Sequence, residues 1–230
     1  MKCLILAGGF GTRLYRVGIH RAKGLVEYKD QLLMTCIVNK VPRDISILVT
    51  TNERFEADFQ KWRQTIDREV EICVESALGN GHKLGAVSAL DFWIDRKAIA
   101  EDLLVIAGDN YFEFDLAGFI AAYNGKNPLI GVHDIGDKSK ASQFGVVKLN
   151  GNRLVELEEK PSKPRSSLIA TAIYILPARI FPLLREYCAG DKRDNLGSFI
   201  AYLLQRDDVY AYPFTEFWLD VGSGLQQPAQ

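Results

Sequence analysis

The sequence predicts an α/β protein whose mostly parallel, mixed sheet carries helices on both faces. In the first half of the chain, short apolar runs typical of buried strands alternate with stretches in which apolar residues recur every three to four positions. Because parallel strands need crossover connections, this alternation favours right-handed β–α–β units. Strands are predicted at residues 3–6, 45–49, 70–74, 103–107 and 129–132, and helices at 32–41, 54–66, 83–96 and 116–123, with Asn52 and Asp115 as helix N-caps.

The second half of the chain begins with a predicted β-hairpin. Two strand-like runs, residues 144–149 and 153–158, flank Asn150-Gly151-Asn152, and we expect them to form a small lobe beside the main sheet. A strand at 168–176, helices at 179–187 and 195–205 and a strand at 209–212 are expected to follow. We predict a single domain over residues 1–224 and a polar tail over 225–230.

Composition limits the partners of this chain. Its 28 basic and 29 acidic residues give a formal net charge of −1, so no broad cationic field favours nucleic acid polymers or anionic membranes. The four cysteines form no C-x-x-C pair, which favours reduced thiols over disulfides, and the three histidines lack metal-ligand spacing. No signal-peptide pattern and no apolar run of membrane-spanning length are found, so we expect a cytoplasmic protein.

A glycine-rich loop directly follows the first predicted strand. Residues 6–14 read Leu-Ala-Gly-Gly-Phe-Gly-Thr-Arg-Leu. Glycines permit a sharp turn in which successive N–H groups converge on an anion, and Arg13 adds donors suited to phosphate oxygens. A dinucleotide fingerprint is excluded because Leu14 stands at its third glycine, and no P-loop pattern occurs in the chain. The loop therefore indicates a nucleoside triphosphate site.

Two aspartates and two lysines complete this candidate site. Asp109 follows the predicted strand 103–107, which places it at the sheet edge where open α/β proteins bind ligands, and Asp220 lies just before a glycine turn. One or two carboxylates together with phosphate oxygens form a typical Mg²⁺ site. Lys23 and Lys160 would add cations near bound phosphates, although a lysine alone is usually a solvated surface charge.

Six segments, taken in order, resemble the sugar-1-phosphate nucleotidyltransferase family, most closely its glucose-1-phosphate thymidylyltransferase type. They are residues 6–14, Lys23 with its loop, residues 108–110 (Gly-Asp-Asn), 144–147 (Phe-Gly-Val-Val), 158–161 (Glu-Glu-Lys-Pro) and 218–222 (Trp-Leu-Asp-Val-Gly). The resemblance implies a Rossmann-like nucleotide-diphospho-sugar transferase fold. It also implies transfer of a nucleoside monophosphate from a nucleoside triphosphate to a sugar-1-phosphate, with release of pyrophosphate.

Residue roles follow from the same resemblance. It implies catalytic roles for Arg13, Lys23 and Asp109, and Mg²⁺ binding by Asp109 and Asp220. The implied nucleotide-binding residues are Leu6, Ala7, Gly8, Gly9, Gly11, Thr12, Gly79, Gly85 and Gly108. The implied sugar-phosphate-binding residues are Gly145, Glu159, Lys160 and Thr171.

Three departures from the family pattern leave alternatives open. Ala22 replaces a usual proline before Lys23, Ala172 replaces a frequent glycine, and residues 77–86 lack the glutamine-containing pattern of thymidylyl enzymes. The resemblance favours dTTP or UTP as the nucleotide. A transferase acting on a non-sugar alcohol phosphate and a non-catalytic sugar-nucleotide-binding regulator are the alternatives, and the assembly, a homo-oligomer included, is left open.

Overall fold

The computed structural model describes residues 1–9, 21–75, 84–190 and 195–221. Its strands are β1 (Lys2–Leu6), β2 (Glu27–Tyr28), β3 (Gln31–Leu32), β4 (Ser46–Asn52), β5 (Val70–Glu75), β6 (Leu103–Ala107), β7 (Asn110–Phe112), β8 (Leu129–Asp134), β9 (Gly145–Asn150), β10 (Arg153–Glu159), β11 (Leu168–Leu176), β12 (Tyr210–Phe214) and β13 (Trp218–Asp220). Its α-helices are α1 (Leu33–Lys40), α2 (Glu56–Arg63), α3 (Ala86–Arg96), α4 (Leu116–Ala121), α5 (Phe181–Ala189) and α6 (Leu196–Leu203).

A mixed sheet organises the described chain. Its nine strands lie in the order β5-β4-β1-β6-β11-β8-β12-β10-β9. The four strands from β5 to β6 are parallel, as is the pair β8 and β12, and the remaining neighbours are antiparallel. The predicted hairpin β9–β10 is present, but it continues this sheet instead of forming a lobe beside it, because β10 pairs with β12 and β9 also pairs with β11.

Helices cover both faces of the sheet, as predicted. Successive β1 residues point to opposite faces, so Cys3 and Ile5 join a core with α1, α2 and α4, whereas Leu4 joins a core with α3, α5 and α6. Burial on both faces explains why the parallel strands read as continuous apolar runs. No helix in the described parts of the chain is long and apolar enough to span a bilayer.

One of the two predicted helix caps is confirmed, and the other has the predicted position but makes no cap bond. The Asp115 carboxylate accepts hydrogen bonds from the backbone N–H groups of Ala117 and Gly118, each at 3.0 Å, at the start of α4. Asn52 directly precedes the 3-10 turn Glu53–Phe55, but its side chain makes no cap bond there. It is also the last residue of β4, opposite Glu75, and its Nδ2 donates to the Gly8 carbonyl.

A bulge in β11 holds Ala172 in a left-handed backbone conformation, with φ of 57°. The β8–β11 register shifts between Ala170 and Tyr174, so the residues between them bend away from the regular ladder. A left-handed φ costs an L-residue about 1–2 kcal/mol, whereas glycine adopts it freely. The bulge therefore explains why glycine would suit this position, although the chain carries alanine.

We expect Ala172→Gly to raise the free energy of unfolding by about 0.5–1 kcal/mol, because the relief of backbone strain exceeds the entropic cost of glycine. Urea unfolding followed by circular dichroism measures this change. Ala170→Gly is the matched control, since Ala170 is buried in the same strand without positive φ and should lose stability on replacement. Equal losses in both variants would contradict the strain at Ala172.

Candidate functional site

Four neighbouring parallel strands, β5, β4, β1 and β6, have their carboxyl ends at the edge of the sheet that defines the candidate site. Their pairing places one residue of each strand in a common row, namely Leu6, Thr50, Cys73 and Ala107. Two positions further along the chain from this row stand Gly8, Asn52, Glu75 and Asp109. Because carboxyl ends of parallel strands meet at one sheet edge, these residues face the region where open α/β sheets bind ligands.

The first part of the glycine loop is fixed by hydrogen bonds to the neighbouring strands. The N–H of Ala7 donates to both the carbonyl and Oγ1 of Thr50, each at 3.2 Å. Asn52 Nδ2 donates to the carbonyl of Gly8 at 2.9 Å. A Cβ at Gly8 would lie 2.6 Å from both carboxylate oxygens of Glu75, so a side chain at this position would have to displace the flexible end of Glu75. The predicted residues Gly11, Thr12 and Arg13 lie outside the described residues.

A cleft of about 230 Å³ opens at this edge of the sheet. Its lining includes the predicted Leu6, Ala7, Gly8, Gly9, Lys23, Gly85, Gly108 and Asp109, together with Gly24, Thr50, Glu75, Leu84, Ala86, Ala89, Ala107 and Leu196. Most of the predicted nucleotide-binding residues therefore surround one space. Gly79 lies outside the described residues.

Lys23 and Asp109 form an ion pair in this cleft. Lys23 Nζ donates to Asp109 Oδ2 at 2.7 Å, and both side chains are about one quarter exposed, at 24% and 27%. Ala22, which precedes Lys23, is fully buried with φ of −59° and ψ of 140°, a conformation that proline would also adopt. Close packing of Gly24 against Met34 and the Gly108 carbonyl leaves little space for a side chain. Burial thus fixes the Lys23 segment without a proline ring.

Asp220 is brought beside Asp109 by the small sheet of β7 and β13. Asp220 lies opposite Asn110 in this antiparallel pair, and the N–H of Val221 donates to the Asp109 carbonyl at 2.9 Å. Buried Asn110 is in turn held by a 2.8 Å hydrogen bond from Nδ2 to the Thr171 carbonyl. Two aspartates that are distant in sequence therefore occupy adjacent backbone positions.

The two aspartates suit a Mg²⁺ ion in their chemistry. No group of three or more His, Cys, Asp or Glu side chains that could enclose a metal occurs among the residues that the structure describes. Mg²⁺ differs from zinc in needing no such enclosure, since it keeps waters and takes one or two carboxylates plus substrate phosphates. The donor set of Asp109 and Asp220 matches that preference.

A second cluster of predicted residues lies at the start of β9 and the end of β10. Gly145 pairs with Glu159, and a Cβ at Gly145 would lie 3.2 Å from Glu159 Oε2. A Cβ at Gly197, in α6, would overlap the same oxygen. Burial raises the pKa of Glu159, and the charge of Lys160, whose Nζ lies 3.8 Å from Glu159 Oε1, opposes that increase. Lys160 has φ of 48° and its N–H donates to the Phe144 carbonyl at 2.9 Å.

Helix α6 connects this cluster to the cleft. Leu196 lines the cleft, and the next residue, Gly197, packs against the Glu159 carboxylate. Thr171 lies between the two regions, but its buried hydroxyl donates to the Gly131 carbonyl at 2.9 Å within the sheet. The structure therefore gives Thr171 a bond that supports the fold, and its contact with a sugar phosphate stays a prediction.

Sequence reasoning missed four residues that form this site. Thr50 and Asn52 position the glycine loop, Glu75 contributes a carboxylate to the cleft, and Gly197 makes room for Glu159. For Thr50 and Asn52, the only indication of a role in the site was that the polar run 50–52 follows an apolar strand. Glu75 and Gly197 gain their positions from tertiary packing.

The family model described as Nucleotidyl transferase matches residues 2–225. The chain is 26% identical to a glucose-1-phosphate adenylyltransferase of Fervidobacterium nodosum, over 96% of this chain and 58% of that protein. It is 27% identical to the bifunctional protein GlmU of Methanocaldococcus jannaschii, over 96% of this chain and 51% of that protein. The chain thus spans between half and three fifths of the length of these curated relatives.

A solved structure shares the fold of this chain. It belongs to a Bacillus anthracis protein provisionally named as a glucose-1-phosphate thymidylyltransferase, with a TM-score of 0.83, 24% identity and coverage of 98% of this chain and 91% of that chain. Together with the family match, which covers nearly the whole chain, these similarities agree with the resemblance found in the sequence. The chain belongs to the nucleotidyl transferase family.

Glu159→Gln should reveal the raised pKa of Glu159 through the pH dependence of stability. Because the pKa of Glu159 is higher in the folded chain than its ordinary value of 4.5, wild type should lose stability relative to the variant as the pH rises from about 4.5 through the raised pKa. Below that range both side chains are neutral and the difference stays constant. Urea unfolding between pH 4 and pH 8 measures it.

Glu156→Gln, an exposed position on the same strand, controls for the loss of one negative charge. A difference between wild type and Glu159→Gln that is independent of pH, or that grows on acidification, would contradict the burial of the Glu159 carboxylate.

Gly197→Ala should remove the loss of stability with rising pH that the raised pKa of Glu159 causes, and it should not destabilise the fold. Alanine favours a helix over glycine by about 1 kcal/mol, and its methyl group would displace only the flexible end of Glu159. We expect the variant to unfold at an equal or higher urea concentration at pH 7, with Glu159 returned towards its ordinary pKa. Loss of stability together with an unchanged pH profile would show that Glu159 does not contact α6.

Proposed function

We propose that this chain transfers a nucleoside monophosphate from a nucleoside triphosphate to a sugar-1-phosphate, releasing pyrophosphate and producing an NDP-sugar. The observation that carries the proposal is the Lys23–Asp109 ion pair, which lies in the same cleft as the glycine loop and beside Asp220. Family membership supports it. The substrate names of the relatives differ from one another, so they support the reaction class more than any one base.

The cleft would bind the nucleoside triphosphate. Backbone N–H groups of the loop that begins at Gly8 and Gly9 would contact the phosphates, and Lys23 would neutralise charge around the reacting phosphorus. By resemblance, Arg13 would hold the phosphates that leave as pyrophosphate. Positioning of this kind converts an encounter between two anions into a reaction within one complex.

Asp109 and Asp220 would hold Mg²⁺, which when bound supplies positive charge to the triphosphate. The ion pair with Lys23 keeps the Asp109 carboxylate at the cleft wall. The second cluster, Gly145, Glu159 and Lys160, would bind the sugar-1-phosphate, with Lys160 at its phosphate and Glu159 at sugar hydroxyls. Thr171 would support that side from within the sheet.

The proposed chemistry needs no general base. A phosphate oxygen of the sugar-1-phosphate is already ionised near neutral pH and attacks the α-phosphorus in line with the leaving group. A new phosphorus–oxygen bond forms while the bond between the α-phosphorus and the bridging oxygen breaks, and pyrophosphate leaves with the electron pair. The cations of the cleft offset the negative charge that accumulates between the two anions. We also infer a cytoplasmic location, where both substrate classes occur.

Asp109→Asn should lower pyrophosphate release by about a hundredfold or more, because a charged ligand of the proposed Mg²⁺, which would stabilise the reacting phosphates, is lost. The assay combines a panel of nucleoside triphosphates with a panel of sugar-1-phosphates and Mg²⁺. Asp58→Asn, which removes an exposed carboxylate from α2, is the matched control and should retain activity. Urea unfolding of both variants checks that the fold is retained.

Full activity in Asp109→Asn would show that the Asp109 carboxylate has no role in the reaction. Tight binding of sugar nucleotides without turnover in any combination would instead favour a regulator. Turnover with choline phosphate or a polyol phosphate, and none with sugar phosphates, would show that the chain is a transferase acting on a non-sugar alcohol phosphate.

A further inference from the structure

A lysine at the tip of the β2–β3 hairpin has a strained backbone. Strands β2 and β3 are joined by a two-residue turn, Lys29 and Asp30, and both residues have positive φ, of 49° and 62°. Such turns favour asparagine and glycine, because other L-residues are strained in this conformation. Strain of this kind persists where contacts of the surrounding structure offset it, which directs attention to the Lys29 side chain.

The Lys29 ammonium group is held by one carboxylate and three aromatic rings. Its Nζ donates to Glu113 Oε1 at 2.6 Å, and the Tyr111 hydroxyl donates to the same oxygen at 3.1 Å. The ammonium also lies 5.2 Å, 5.5 Å and 5.9 Å from the ring centroids of Tyr111, Phe217 and Tyr28. An ammonium group over the face of an aromatic ring is attracted by that ring. We call these five residues the Lys29 clamp.

The clamp is a local connection and contributes little to global stability. The hydrogen bond between Lys29 and Glu113 raises the pKa of Lys29 and lowers the pKa of Glu113, so both groups are charged at neutral pH. Their side chains are 56% and 41% exposed. Ion pairs with this exposure are screened by water and add little to the free energy of unfolding. The importance of the clamp therefore depends on which parts of the chain it joins.

The clamp joins the same two segments of the chain as the ion pair in the cleft. Lys23 and Lys29 lie on the first segment, and their partners Asp109 and Glu113 lie on the second. A single contact leaves two segments free to rotate about it. A second contact several residues away fixes their relative orientation, so the clamp determines how the Lys23 segment faces Asp109.

The clamp also holds the strand that carries Asp220. At one end of the β7–β13 sheet, the N–H of Glu113 donates to the carbonyl of Phe217 at 2.9 Å. At the other end, the N–H of Val221 donates to the carbonyl of Asp109 at 2.9 Å. This small sheet therefore carries the clamp at one end and the two aspartates of the candidate site at the other.

The clamp lies outside the cleft. None of its five residues is among the described residues that line the cleft. In the proposed function, Lys23 contacts phosphates and Asp109 binds a metal ion, so the contact between them is shared with the ligands. The clamp has no such competition and can hold the two segments together while ligands enter and leave.

We infer that Lys29 is a positioning residue, which through the clamp fixes the geometry of Lys23, Asp109 and Asp220; this inference rests on the proposed function. Lys29 itself would touch neither substrate. A displacement of about 1 Å in a reacting group can slow an enzyme by about a hundredfold, so the loss of a remote clamp would act on kcat.

Amide hydrogen exchange followed by NMR tests the clamp without any turnover. Lys29→Met retains an unbranched side chain and removes its charge. We expect the Val221 amide, which is bonded to the Asp109 carbonyl, to exchange at least about fivefold faster in this variant, because the β7–β13 sheet opens more often. The amide of buried Ile5 in the central sheet should stay within about twofold of its wild-type rate, which separates local opening from global unfolding.

Steady-state kinetics with Mg²⁺ and the substrates that wild type converts tests the effect on catalysis. Lys29→Met should lower kcat by about tenfold or more and change the KM for the nucleotide by less than about threefold, because Lys29 contacts no substrate. Lys29→Arg should restore kcat to within about threefold of wild type, since a guanidinium group also pairs with carboxylates and stacks on aromatic rings.

Lys97→Met is the matched control for the loss of one clamped lysine. Lys97 also pairs with a carboxylate, that of Glu71, and lies 5.9 Å from the ring centroid of Trp93. Glu71 stands near the start of β5, and the other end of this strand faces the cleft. This variant should match wild type in kcat and in the exchange of the Val221 amide.

Three results would overturn the inference. They are a wild-type exchange rate of the Val221 amide in Lys29→Met, a loss of kcat in Lys29→Arg as large as in Lys29→Met, and equal losses in Lys29→Met and Lys97→Met. Absence of turnover in wild type with every pair of substrates would instead overturn the proposed function. The exchange rates would then still decide whether Lys29 fixes the two aspartates.

Discussion

The ion pair between Lys23 and Asp109 is the interaction on which the candidate site depends. It joins the segment after the glycine loop to the residue that follows β6, at 2.7 Å and with both groups largely shielded from water. Buried Ala22 and closely packed Gly24 fix one partner, and the small β7–β13 sheet fixes the other. Because partial burial strengthens the attraction, this contact holds two distant parts of the chain at one edge of the sheet.

Other parts of the fold extend this arrangement. The β7–β13 pair carries Asp220 to the backbone of Asp109, and buried Asn110 connects the same pair to Thr171 in β11. Helix α6 contacts both the cleft and the second cluster, since Leu196 lines the cleft and Gly197 packs against Glu159. The two proposed substrate regions are therefore parts of one packed structure, and their spacing is set by the sheet.

Much of the fold could be predicted from the sequence because periodicity reports local structure. Apolar runs located the central strands, and Asp115 was correctly identified as a helix cap. The strand order could not be predicted, since the insertion of β11 between β6 and β8 depends on long-range pairing. Asn52 does precede a helical turn, but its side chain donates to the Gly8 carbonyl instead of capping that turn, and this long-range contact could not be predicted from local pattern.

The candidate site was predicted where motifs carry chemistry and missed where packing creates it. Lys23, Asp109 and Asp220 belong to recognisable segments, and the structure brings them together. Glu75 belongs to no motif, and only the row formed by the strand ends places it in the cleft. The replacement of glycine by Ala172 was visible in the sequence, but its physical meaning required the backbone angle of the bulge.

An experimental structure with a bound nucleoside triphosphate and with Mn²⁺ in place of Mg²⁺ tests the central claim most directly. The account predicts an anomalous Mn²⁺ peak next to the carboxylates of Asp109 and Asp220, with the phosphates at Lys23. Nucleotide and metal found instead in the cleft at the amino ends of the strands, among Lys2, Arg43 and Arg68, would contradict it.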